Sequence, residues 1–128
     1  MKNGKIANIN TTVKNLFFKW LDITKPFHKL TPQQQKVLAL ILYYNHIYKK
    51  EVKKDSIRWK LVFNYDTRMA IKEELGIKEG GFLNILTKLR KKNIIKDNKV
   101  ISTYIPNLDV NSRLFKVIFN FNIDIDAK

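Results

Sequence analysis

IKEELGIKEGGFLNILTKLRKKNII, residues 71–95, decides how the rest of the chain is read. Ile71 and Leu75 mark one face of a helix, and Gly76 is placed to take the left-handed conformation that ends it. A second helical pattern starts near Gly80-Gly81 and runs to Lys92, burying Phe82, Ile85, Leu86 and Leu89 at three- and four-residue spacing. Asn93 can again supply a left-handed cap. Ile94-Ile95-Lys96 and Lys99-Val100-Ile101 then flank Asp97-Asn98, a polar two-residue turn of hairpin type.

Upstream, Thr31-Pro32-Gln33-Gln34 reads as a capping box with proline at the first helical position. The helix it opens reaches about Tyr48 or Lys50. Val37, Leu38, Ile41, Tyr44 and Tyr48 share one face, and Leu40, Leu42, Tyr43 and Ile47 fill much of the rest. A surface helix is not apolar nearly all round, so this one is enclosed within the domain or shared with another subunit. Residues 49–60 form a basic linker with six cations and two acids. Weak alternation from Ile57 to Tyr65 predicts a short strand or extended connector, and Asp66 or Thr67 is placed to cap the following helix.

At the N-terminus a polar basic arm precedes Thr11-Thr12. These can cap a short helix with Val13, Leu16, Phe17, Trp20 and Leu21 on one stripe, stopping before Lys25-Pro26. Past Pro106-Asn107 comes the plainest strand pattern. Phe115, Val117, Phe119, Phe121, Ile123 and Ile125 alternate with Lys116, Ile118, Asn120, Asn122 and Asp124. A dozen such residues would reach roughly 40 Å, and an open strand of that length invites pairing with a neighbouring chain.

Composition narrows the classes of function. The 128 residues carry 25 Lys+Arg against 11 Asp+Glu, a net +14, and 45% are hydrophobic, enough to bury a core. Residues 1–64 hold 13 basic and 3 acidic side chains, so most of the charge lies in the first half. That field draws phosphate-bearing or acidic partners. There is no cysteine, which excludes a disulfide framework, a Cys-ligated zinc and a thiol nucleophile. No apolar run approaches the roughly 20 residues of a membrane span, and MKNGKIANINTT lacks the apolar region of a leader.

The order of parts in residues 30–105 resembles the winged helix-turn-helix family. The fold expected is α+β: a winged helix-turn-helix-like domain with an extra N-terminal helix and a long C-terminal β-strand. Its divisions are an arm and short helix (1–29), the winged-helix-like domain (30–105) and a strand extension (106–128). In that family the second helix of the pair enters the major groove. Carried onto this chain, the outward positions are Glu79, Gly80, Gly81, Leu83, Asn84, Thr87, Lys88 and Lys91. They suit base reading poorly. Glu79 repels phosphate, the glycines offer no side chain, and Leu83 is apolar where a wet, polar residue belongs. Asn84 alone could pair bidentately with adenine, with Thr87 and Lys88 in support. Lys72 stands where the family has a small alanine.

Other chemistries find little footing. Gly76-x-x-x-Gly80-Gly81 lacks the Gly-Lys-Ser/Thr of a phosphate loop. His28 and His46 are isolated and read as packing histidines; Glu73 and Glu74 splay around a helix. Asp124 and Asp126 share a strand face and read as an acidic chain end. Tyr44 and Tyr48 read as core, while Trp20, Trp59 and Tyr43 are open to a role in stacking on bases. No enzyme, cofactor, metal, membrane or small-molecule substrate is expected.

Two functions follow. One is a DNA-binding regulator or replication accessory, gripping mostly backbone phosphates through Asn84, Thr87, Lys88, Lys91, Lys92 and the wing residues Lys96 and Lys99. The other is an assembly protein that meets other chains, copies of itself included, through Leu83 and through Phe115, Val117, Phe119, Phe121 and Ile123. Tyr65-Asp66-Thr67-Arg68, Leu89-Arg90-Lys91-Lys92 and the Asp-Asn-Lys wing are similar to small winged-helix-like proteins of crAss-like phages of gut Bacteroides. That resemblance implies a tailed-phage origin and a place in the particle or the host cytoplasm. It favours the assembly role.

Overall fold

Thr31 opens the helix around which everything else is arranged. In the computed structural model, which describes residues 4–126, its hydroxyl accepts the Gln34 N–H at 3.3 Å while Gln34 Oε1 accepts the Thr31 N–H at 3.1 Å. The resulting helix α3 (Pro32–Tyr48) buries six successive residues from Val37 to Leu42. It is enclosed because α1 (Val13–Ile23), α4 (Asp55–Val62), α5 (Tyr65–Leu75) and α6 (Glu79–Lys91) all pack on it. The short α2 (Lys25–His28) turns the chain between α1 and α3. A two-stranded antiparallel sheet, β1 (Ile95–Lys96) and β2 (Lys99–Val100), completes an α+β fold. Phe17 and Leu21 of α1 and Leu108 beyond the sheet lie in the same buried cluster as α3.

Helix α1 starts as expected, with Thr12 Oγ1 accepting the Asn15 N–H at 3.2 Å, and it ends before Pro26. His28 then joins α1 to α3. Its Nε2–H donates to the Leu21 carbonyl at 2.7 Å and its Nδ1 accepts the Leu30 N–H at 3.0 Å, which fixes a neutral ring. Burial pushes its pKa below the ordinary value of 6.5; the Leu21 carbonyl partly opposes this, and Lys92 and Lys25 add to it. Burial lowers His46 too, aided by Lys49 and Lys50.

Because both rings bind protons more readily once unfolded, their contribution to stability is complete above the unfolded value. It is lost as pH falls from there through the lowered native values. The urea midpoint is therefore expected to drop between pH 7.5 and pH 5 in the intact chain and to drop less in His28→Gln. Equal pH profiles in the two proteins would contradict this account of His28.

Residues 57–65, expected as a strand or connector, begin instead with α4. The alternation there is overridden by a buried arginine. Arg58 Nε donates to Asn45 Oδ1 at 2.8 Å, and Nη1 donates to the carbonyls of Val52 at 3.0 Å and Lys53 at 3.1 Å. Nη2 pairs with the Asp55 carboxylate one turn earlier. With Arg58 held inward, Trp59 and Val62 follow it into the core at helical spacing. Trp59 stacks on Phe63, and Tyr43 is half-buried between Phe17 and Tyr44, so these rings are used internally rather than held out for bases.

The cap of α5 also differs from expectation. Asn64 Oδ1 accepts the Thr67 N–H at 2.9 Å, whereas Thr67 lies buried in the first turn. Its hydroxyl donates to the Leu61 carbonyl at 2.9 Å and accepts from Tyr48 Oη at 2.7 Å. At the far end Gly76 adopts φ +63°, as its position between Leu75 and Ile77 predicts. Asn93 caps α6 with φ +58°, and Asp97 and Asn98 both take positive φ, the conformation a tight antiparallel turn demands.

The expected C-terminal strand does not form. After a 3₁₀ turn at Ser102–Tyr104 the chain returns over the body, where the Trp20 indole donates to the Tyr104 carbonyl at 2.8 Å and Leu108 is buried. Phe115 meets Trp20 edge-on at 5.8 Å between ring centroids. Residues 112–124 carry no helix and no ladder. A strand requires a hydrogen-bonded neighbour, and among the described residues none lies alongside.

Candidate functional site

Helix α6 sorts its residues cleanly. Phe82, Ile85, Leu86 and Leu89 are buried, and Glu79, Gly80, Gly81, Leu83, Asn84, Thr87, Lys88 and Lys91 are exposed, as their spacing predicts. Leu83 keeps 43% of its surface open, amid the row that faces outward. The Thr87 hydroxyl is already committed, donating to the Leu83 carbonyl at 3.0 Å. Among the described residues no hydrogen bond engages the side chains of Asn84, Lys88 or Lys91. Apart from the adjoining residues and the helix's own backbone, no atom lies within 4 Å of where a Cβ at Gly80 or Gly81 would stand, so no packing neighbour requires glycine there.

Glu79 is tied down at the start of this row. Arg68 Nη2 reaches one carboxylate oxygen at 3.0 Å and Lys72 Nζ pairs with the other. The Lys72 hydrogen bond is the main reason its pKa lies below the usual carboxylate range. Lys72 therefore has a use: its long stem crosses from α5 to the first turn of α6. Sequence reasoning saw Glu79 only as a charge repelling phosphate and missed that two cations from α5 hold it. The opposite charges seven and eleven residues apart were the available signal.

Lys92, expected on DNA, is otherwise engaged. Its ammonium donates to the carbonyls of His28 at 3.3 Å and Lys29 at 3.2 Å, clamping the end of α6 to the turn before α3. These carbonyls are exposed as acceptors because Lys29 takes a left-handed φ of +54° after α2. In the β1–β2 hairpin, Lys96 and Lys99 stand directly opposite each other and are both exposed. Like charges so placed repel one another, and an anion between them relieves the repulsion.

The second cluster of predicted contacts divides as well. Phe115 is half-buried against Trp20 and serves as a tether. Val117, Phe119, Phe121 and Ile123 remain 37%, 49%, 86% and 80% exposed. Of the predicted contacts, Leu83 and the C-terminal apolar residues beyond Phe115 thus stay open, as do the opposed lysines of the β1–β2 hairpin. Among the described residues no three His, Asp or Glu side chains gather where a metal ion could be held, and no helix is long and apolar enough to cross a membrane. Compared with protein-family models, with curated proteins and with solved structures, the chain matches none.

Proposed function

We propose that the chain is a non-enzymatic assembly protein of a tailed-phage particle, built on a winged helix-turn-helix body. In this reading α3, α5 and α6 take the three helix positions, α4 is inserted after the first, and β1–β2 is the wing. Its partners are other protein chains of the particle, with packaged DNA held mainly through backbone phosphates. The observation that carries the reading is Leu83, exposed in the middle of the outward row of α6 and followed by a single residue suited to a base. Bare backbone at Gly80-Gly81 offers no side chain to read a base, while the pairing of Glu79 with Arg68 and Lys72 cancels its repulsion of phosphate and favours neither surface. The phage origin rests on the likeness of the 65–68 and 89–92 segments and the wing to proteins of such phages.

A second reading, a winged-helix DNA-binding protein, draws on the opposed wing lysines and the free Asn84. The two separate in one titration on duplex DNA across a salt series. Weak binding indifferent to sequence is expected, with Lys96→Ala and Lys99→Ala each flattening the logarithmic salt slope. Leu83→Lys is expected to block association with other chains, and Asn84→Ala to leave it intact. A specificity ratio above about 10³, or an Asn84→Ala loss of about 1–3 kcal/mol confined to one base pair, would establish the regulator instead.

A further inference from the structure

We propose that residues 114–126 pair with the same residues of a second copy, antiparallel, about a two-fold axis through Asn120. This names a partner for the assembly reading and rests on it for its biological setting, while the register follows from the residues themselves. The segment has the side-chain alternation of a half-buried strand, and among the described residues no ladder partner lies beside it. What it lacks is a neighbour.

Residues directly opposite in an antiparallel pair lie on the same face. An axis between two residues would set Phe119 against Asn120 and mix the apolar with the polar face. An axis through a residue keeps like with like. Centred on Asn120, Phe119 meets Phe121, Val117 meets Ile123 and Phe115 meets Ile125, each pair occurring twice. On the other face Lys116 meets Asp124, also twice. Centring on Phe121 turns Asp124 toward Ile118, and centring on Phe119 turns it toward Leu114. Centring on Phe121 also sets Lys116 against Asp126, but it leaves Asp124 unpaired inside the ribbon. The Asn120 register leaves its unpaired acid, Asp126, at the ribbon's end across from Leu114, where water reaches it.

Charge also selects the tail over the body as the place where copies meet. At +14 two bodies repel, yet from Arg113 to Asp126 basic and acidic residues balance. Each buried phenylalanine withdraws roughly 150–250 Å² from water. Facing one another across the ribbon, the Phe119 and Phe121 rings of two copies withdraw part of that area along their shared edges. Phe115, held on Trp20, fixes where the strand leaves the body, and the partner's end comes to rest beside that pair.

The absence of cysteine makes the register directly testable in the full chain. Under mild oxidation Asn120→Cys is expected to form a disulfide-linked dimer. Asn122→Cys is expected to stay unlinked, since its two copies would sit about 13 Å apart along the ribbon, beyond the roughly 7 Å limit between Cα atoms. By sedimentation the unmodified chain is expected to be a dimer. The double variant Phe119→Lys, Phe121→Lys should be a monomer with unchanged thermal stability, because both side chains are exposed in the single chain. A monomeric unmodified chain, equal linking at both cysteine positions, or a dimer that survives the two lysines would overturn the pairing. A monomer that still enters a larger assembly removes this pairing and leaves the assembly reading standing. A dimer linked at Asn120 that reads one DNA sequence through Asn84 keeps the pairing and removes that reading.

Discussion

Phe82→Ala is expected to destabilise the chain by about 3–5 kcal/mol, the range for truncating a fully buried aromatic ring. For a domain of this size that corresponds to a fall in Tm of roughly 10–20 °C. The ring is 1% exposed, sits on the inward face of α6 and lies under the Arg68 guanidinium at 5.6 Å. Its removal leaves a cavity that the enclosed α3 cannot fill by sliding, since α1, α4 and α5 hold it from other sides. Leu83→Ala, one residue on but outward, is the control and should change stability by less than about 0.5 kcal/mol. Similar losses at the two positions, or a Phe82 loss below about 1 kcal/mol, would mean that α6 is not seated on this face.

Arg58→Ala carries the second large effect, about 2–4 kcal/mol, through a different cause. The guanidinium is 6% exposed at the residue level and satisfies Asn45 Oδ1 and two backbone carbonyls at once. Without it Asn45 Oδ1 stays buried and unpaired, which costs more than its bond contributes, and the part-buried Val52 and Lys53 carbonyls lose a partner. Asp55 suffers little because its carboxylate is mostly in water. Arg58→Lys should recover only a minor part, since one ammonium on a flexible stem cannot reproduce a planar fork with three separate acceptors. Full recovery by lysine, read from urea midpoints, would show that charge alone mattered.

The features legible in the sequence are those set by local backbone chemistry. The Thr31–Gln34 box, the left-handed Gly76 and Asn93, and the Asp97-Asn98 turn each depend on residues within a few positions of one another. The buried row of α6 was equally plain, because Phe82, Ile85, Leu86 and Leu89 repeat at the helical period. Helix α4 was hidden because its cause is distant: Arg58 turns inward to meet Asn45 on α3, and no pattern within residues 57–65 contains that fact. Asn64 prevailed as a cap over Asp66 because Thr67 was drawn into the core by Tyr48, again from another helix. The roles of Lys92 and Lys72 rest on carbonyls and carboxylates that only the folded chain brings near. For the C-terminal residues the alternation predicts a strand that does not form, because a ladder belongs to two strands and the described residues supply one.

The enclosure of α3 has a consequence for how such a chain can change over generations. From Val37 to Leu42 the helix has no wet flank to absorb a polar substitution, so drift there is confined to swaps among similar volumes. The rim formed by the outward row of α6, the β1–β2 hairpin and the tail bears almost none of that burden. It can be rewritten for new company while the spine keeps the shape.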